Sequence, residues 1–352
     1  KDLYLSEYQL GQFVEKREQL LFEVIQGLDV NSKAALGLIY IRKDHLEGPI
    51  MLQDSESQAL ERLGSTLGEC ITALDALNGS LVTHMQIDDQ PVWRFRHPTI
   101  GDAYAATLAF SPELLGIFLS GSSTENLISQ VSCGNVGLEK AVVVPKSLFS
   151  MMVTRLREFS VSDKYKVQWM SSWGAKRALY QFLARRCSKE FLDLYLEEDP
   201  DILNRVSEPG LSLDVVPEVD LAVRLHEVGL LPEENRKKFV EAVSNYAIDG
   251  EDVYALEDND IRHVFTDGEF EELVRVVRMK LLPRLAEVRE RVQMNHDSSE
   301  SPDEHMQRTI ELFNALKMRF SDDVNAIRII ERETELANEW IVETDPPEPS
   351  RS

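Results

Sequence analysis

The sequence predicts a mainly α fold, with a single β-hairpin set among helices in the amino-terminal third and an irregular α-helical domain after it. Three observations carry this expectation. Apolar residues recur at helical spacing through most of the 352-residue chain. The period shortens to that of strands between Ser80 and Arg96, and again only briefly at Ala141-Val142-Val143-Val144. Helix-starting signals punctuate the rest: His97-Pro98, Ser111-Pro112 and the capping box Thr266-Asp267-Gly268-Glu269.

Taken in order, Glu15 to Asp29 reads as a first helix, with Leu20, Leu21, Val24, Ile25 and Leu28 on one stripe. Asp29 to Ser32 breaks it and offers caps for a second helix over Lys33 to Lys43. Gly48-Pro49 is a turn. Asp54 or Ser55 caps a third helix to Leu63, and Thr66 to Leu77 forms a fourth, stopped by Asn78-Gly79. Ser80 to Ile87 and Pro91 to Arg96 are the two strands, joined at Asp88-Asp89-Gln90. Helices followed by a two-stranded ribbon are the order of a winged-helix domain. Further helices start at Pro98 and Ser111, and the valine run before Pro145 reads as an isolated extended segment. Leu221 to Val228, Glu233 to Tyr246 and Phe270 to Arg291 are helical, the last interrupted or kinked at Pro283. Met306 to Phe320 and Val324 to Ile341 form a closing pair. Composition thus divides the chain into a helical arm and winged-helix domain (1–121), an α-helical domain (122–292), a linker (293–303), a helical pair (304–342) and a disordered tail (343–352).

A net charge of −23 repels nucleic acid and anionic membrane surfaces. The helix in the recognition position, TLGECITALDAL, carries Glu69 and Asp75 and no Lys or Arg, so reading of a DNA groove is disfavoured. No apolar run is long enough to span a bilayer. Three cysteines, Cys70, Cys133 and Cys187, show no paired spacing and fit a reducing, cytoplasmic setting. The chain opens KDLYLSEYQL without an initiator Met, which reads as an excised fragment.

Sequence motifs for independent catalysis are missing: there is no GxxxxGK[ST], GxSxG, HExxH or paired CxxC, and no enzymatic activity is expected of the chain by itself. His296, Asp297, Asp303, Glu304 and His305 in HDSSESPDEH have metal-ligating chemistry, but their spacing matches no standard site and a solvated linker explains them better. Glu257-Asp258-Asn259-Asp260 lacks the ligand pattern of a calcium loop and reads as a helix cap. In WRFRHPTIGDAY, Trp93 and Phe95 share one face of a strand and Arg94 and Arg96 the other. His97, held extended by the proline after it, stands beside the amino end of the next helix. Free amides of Thr99 and Ile100 would favour an anion there, with the imidazole as an added donor. The residues alone leave a second reading open, in which His97 caps a backbone carbonyl at a buried corner.

The run FRHPTIGDAYA, with its preceding hairpin and LNGSLV upstream, resembles the region after the nucleotide-binding core in STAND-type NTPases, signal-transduction ATPases with numerous domains. The likeness is greatest to bacterial novel-STAND proteins and runs from Leu5 through Gly134. It extends more weakly to LAVRLHEVGLLPEENR and FTDGEFEELV. The resemblance implies a winged helix packed on an NTPase core, with a histidine at the end of its hairpin on the nucleotide β-phosphate. His97 is the matching position, followed by Pro98 and Asp102. It further implies an ADP-bound resting state, oligomerisation on activation and a role in antiviral defence. Its Walker motifs are absent here, so ADP or ATP binding would require a P-loop core upstream of Lys1. The other expectation is a non-enzymatic helical adaptor or scaffold that uses the winged helix for protein contacts.

Overall fold

A computed structural model describes residues 19–139, 141–161, 172–297 and 299–344, and these are mainly helical. They fall into two compact units divided between Glu198 and Asp199.

In the first unit a helix is described over 19–27 (α1). Asp29 then caps α2 (Val30–Ile41) by accepting the Ser32 N–H at 3.0 Å. Ala34, Ala35, Leu36, Leu38 and Ile39 on α2 are all essentially inaccessible, so this helix is the hub of the unit. Around it pack α4 (Leu67–Leu77), α5 (Pro98–Ala109) and α6 (Pro112–Gly121), while α3 (Asp54–Arg62) packs on α6. Two glycines permit these close approaches. A Cβ on Gly37 of α2 would stand 2.6 Å from the Tyr104 hydroxyl oxygen, and one on Gly121 would stand 2.7 Å from the Ala59 Cβ.

Capping sets most boundaries. Thr66 and Glu69 form a capping box on α4, and Ser111 caps α6. The third helix departs from expectation: its cap is Gln53, not Asp54 or Ser55. Glu56 reaches back to the Gln53 N–H at 2.8 Å and is at the same time ion-paired with Arg42, which fixes the register one residue earlier.

Strand β2 (Val82–Ile87) pairs antiparallel with β3 (Gln90–Phe95), and Asp88 and Asp89 between them both take positive φ, 50° and 63°. Two consecutive left-handed residues give the turn a twist matching that of the strands. A third strand, β1 (Leu46–Glu47), joins the far side of β3. Two residues are too few to show a period, so it left no mark in the sequence. The valine run is not isolated. Val142–Val144 (β5) pairs in parallel with Val131–Cys133 (β4), which follows α7 (Thr124–Gln130) directly. Cys133 also bridges Cys187, between α9 (Ser172–Arg186) and α10 (Lys189–Glu198). Helix α8 (Phe149–Val161) packs on α9 and α10.

The regular elements among the second unit's described residues are all helical: α11 (Asp201–Ser207), α12 (Pro217–Glu227), α13 (Glu233–Asp249), α14 (Asn259–Val264), α15 (Asp267–Lys280), α16 (Leu285–Met294), α17 (Pro302–Arg319) and α18 (Val324–Thr344). Helix α12 begins at Pro217, four residues ahead of the expected Leu221, because proline suits a first helical position. The stretch over Phe270 to Arg291 is interrupted at Pro283, as expected: two helices are separated by a 3₁₀ turn at Leu282–Arg284 that contains this proline. Gly250 ends α13 in a left-handed conformation, φ 70°. Arg236 on α13 is the electrostatic centre of this unit. All five of its N–H groups are used, on Glu233, Glu269 and the Val264 carbonyl, at 2.7 to 2.9 Å. No single helix among the described residues is long and apolar enough to cross a membrane. Residues 345–352, the greater part of the expected tail, lie outside the described residues.

Candidate functional site

The dodecapeptide from Trp93 to Tyr104 lies wholly in the first unit, at the junction of β3 and α5. Most of its residues are accounted for by packing. Trp93 and Phe95 are each 7% exposed and share the buried face of β3, with the His84 ring stacked on Trp93 at 4.3 Å. Arg94, on the other face, is fixed by Asp44 from the turn after α2. The Asp44 carboxylate accepts from Arg94 Nε at 3.0 Å and Nη2 at 2.8 Å, and also from the Phe95 N–H at 2.5 Å. Asp44 itself has a positive φ of 61°, which an aspartate tolerates better than most residues.

Below the corner, Ile100 and Tyr104 are buried. A Cβ on Gly101 would stand 3.3 Å from the Phe95 ring, so this glycine lets α5 lie close on the strand it has just left. Tyr104 sits under Gly37, beside the Tyr40 ring at 5.4 Å, and burial pushes its phenol well above the usual range.

His97 is the residue this packing leaves outward. Its backbone is extended, φ −147° and ψ 142°, as the proline after it requires, and its side chain is exposed. It is the N-cap of α5. Nδ1 accepts the Thr99 N–H at 3.2 Å and lies 2.9 Å from the Thr99 hydroxyl, while the His97 carbonyl accepts the Ile100 N–H at 3.0 Å. The two amides expected to await an anion are therefore satisfied by His97 itself. A ring nitrogen that accepts carries no proton, so the ring proton resides on Nε2, on the opposite edge of the imidazole. What the corner offers a ligand is one neutral, outward N–H donor with the exposed Arg96 next to it.

Asp102, one turn into α5, belongs to a different surface. It lines a groove of about 830 Å³ with Phe22, Glu23, Ala106, Phe110 and Val142 among others. A second groove of about 440 Å³, lined by Ile25, Val30, Lys33, Tyr104 and Leu114, shares Phe110 with it. Phe110 is 76% exposed and touches the Phe22 ring at 5.3 Å. His97 lines neither groove.

The other sequence candidates stand in the second unit. Asp258 caps α14 by accepting the Ile261 N–H at 2.8 Å. His296 and His305 have their rings 5.1 Å apart, but His305 spends both nitrogens on Glu300 and the Val292 carbonyl. Among the described residues no three His, Cys, Asp or Glu side chains are gathered as a metal-ligating group. Sequence reasoning missed Asp44, the residue that fastens β3. Its partner is 50 positions away, and nothing local marks the pair.

No family model matches the chain, and no curated protein and no solved structure matches it either.

Proposed function

We propose that this chain is the regulatory and sensor portion of a STAND-type signalling NTPase, with the amino-terminal helices and three-stranded ribbon acting as its winged helix. The observation that carries the reading is the state of His97. Its Nδ1 is spent on the first turn of α5, and its Nε2–H is left facing outward from an exposed corner. A donor of that kind suits a terminal phosphate oxygen of ADP presented by a separate nucleotide-binding core. The packed dodecapeptide supports the reading as well. Gly101 against Phe95, and Arg94 on Asp44, fix the backbone on either side of His97, which suits a contact with one nucleotide state. In this reading the chain by itself has no ATPase activity, works in the cytoplasm with its three buried thiols reduced, and contributes to antiviral defence. Exchange of ADP for ATP releases the corner and permits oligomerisation. A ligand sensed by the helical remainder biases that exchange through a differential affinity of a few kcal/mol.

One observation favours a second reading, a non-enzymatic helical adaptor: His97 satisfies both helix-terminal amides by itself and is complete as a structural cap. The two separate in a parent protein that carries a P-loop core. His97→Asn keeps a competent cap and draws the outward donor back toward the backbone, short of the reach of the imidazole Nε2–H. The regulatory reading expects bound ADP to be lost several-fold faster and basal activity to rise. Unchanged ADP retention in a folded His97→Asn protein would leave the adaptor reading in place.

A further inference from the structure

The first turn of α17 carries a histidine, His305, whose partners are unlike those of His97. His305 Nε2 lies 2.7 Å from the Val292 carbonyl oxygen in the last turn of α16, and Nδ1 lies 2.8 Å from Glu300 Oε2. A carbonyl oxygen only accepts, and an ionised carboxylate only accepts. Both contacts are hydrogen bonds only when both ring nitrogens donate, that is, when the ring holds two protons and a positive charge. Only 14% of the side chain is exposed.

Around it the segment is built, not merely solvated. His296 Nε2 meets the Glu300 carbonyl at 2.9 Å, which closes the turn on itself. The His296 ring lies edge-on to His305 at 5.1 Å and to Trp340 of α18 at 5.2 Å. Trp340 also stands 6.5 Å from His305. Helices α16, α17 and α18 pack on one another, and the two histidines sit at the end of that seam.

The charged neighbours set the balance. Glu300 and the negative end of the α16 dipole favour the imidazolium. Asp303 and Glu304 in the first turn of α17 act in the same sense, and Asp297 lies in the segment between α16 and α17. The positive end of α17 and any charge on His296 oppose it. Further along the seam, Arg289 of α16 is neutralised by Glu333 of α18 at 3.0 Å and by Glu290 at 3.2 Å.

We propose that His305 is a protonation latch. Its imidazolium ties Glu300 and the end of α16 into one unit, and loss of a proton frees the turn at Glu300 and the Trp340 end of α18. A neutral ring has a single N–H, so one acceptor then faces a lone pair across less than 3 Å. The His305 pKa is raised above its ordinary 6.5 by the Val292 carbonyl first and then by Glu300, with burial opposing. A raised value means that the stabilisation is fully present below about 6.5 and is lost as pH rises through the folded-state value, above 6.5.

The test is an NMR titration of the whole chain with labelled histidine rings, assigned by His296→Gln and His305→Gln, alongside hydrogen exchange corrected for intrinsic rate. The latch requires a His305 midpoint above 6.5 that falls toward 6.5 in Glu300→Gln. It also requires protection of 295–301 and 337–344 to drop several-fold as pH passes that midpoint, and to stay level in His305→Gln. A midpoint at or below 6.5, or one untouched by Glu300→Gln, overturns it. So does a protection loss of equal size in His305→Gln. Should His305→Gln fail to fold, the wild-type and Glu300→Gln titrations decide the matter alone.

Discussion

The two units are held by different means. In the first unit close approach at glycines is prominent, with Gly37 under Tyr104, Gly101 on Phe95 and Gly121 on Ala59, beside the Asp44–Arg94 pair that fastens β3. In the second unit, long side chains bring charge to the seams, with Arg236 between two glutamates and Arg289 on Glu333. The two histidines follow the same division. His97, at the N-cap of α5, has a ring that accepts from its own helix; His305, the fourth residue of α17, has one that donates to its neighbours. The lesson is that a histidine's place in a motif does not decide its proton count; the polarity of its partners does.

Breaking the second unit's device should cost most. Arg236→Met keeps volume but removes five hydrogen bonds from a side chain only 6% exposed, and a loss of about 2–3 kcal/mol is expected in urea unfolding. The figure is held down because Glu233 and Glu269 are partly exposed and can be rehydrated. The same variant sharpens the comparison through pH. Arg236, aided by Thr266, holds the Glu269 carboxyl down to about 2. A depressed carboxylate contributes stability above its usual 4.5, which is lost as pH falls from 4.5 toward 2. Arg236→Met should flatten that part of the acid limb.

The steric device of the first unit should break next. Gly37→Ala improves helix propensity by about 1 kcal/mol, yet its Cβ would meet the Tyr104 oxygen at 2.6 Å. A net loss of about 1–2 kcal/mol is expected, largely recovered in Gly37→Ala/Tyr104→Phe. Absence of that recovery would mean the clash is not with the hydroxyl. The smallest effect belongs to the corner itself. His97→Ala should cost about 0.5–1 kcal/mol as a lost cap, and His97→Asn close to nothing.

How much of this was legible depends on the distance over which the physics acts. Helix starts were readable because cap and amide lie within three residues: Thr66 with Glu69, Ser111 with Leu114, Thr266 with Glu269. The extended backbone of His97 was readable because the next residue is proline. Its bonding was not, since the choice between an outside ligand and its own helix turns on a rotamer that leaves no sequence mark. Contacts made across the chain were invisible for a different reason. Arg94 finds Asp44, His305 finds Val292, and β1 finds β3 only once the intervening segments have packed. The boundary after Glu198 carries no Pro/Gly-rich stretch ahead of it; the helical LDLYLEE runs straight up to Asp199-Pro200.

Cys133 meets Val144 on one side and Cys187 on the other, and its carbonyl takes the Ser188 amide at 2.8 Å. This short strand is therefore an inner member of its assembly, although the partners that flank it, Val144 and Cys187, are about forty positions apart. Recombinant pieces trimmed where the composition changes, near 121, would discard both partners, and pieces ending before Cys187 would bare one side of a strand with unfilled main-chain groups. The practical minimum for expressing the first unit alone is the whole stretch through Glu198.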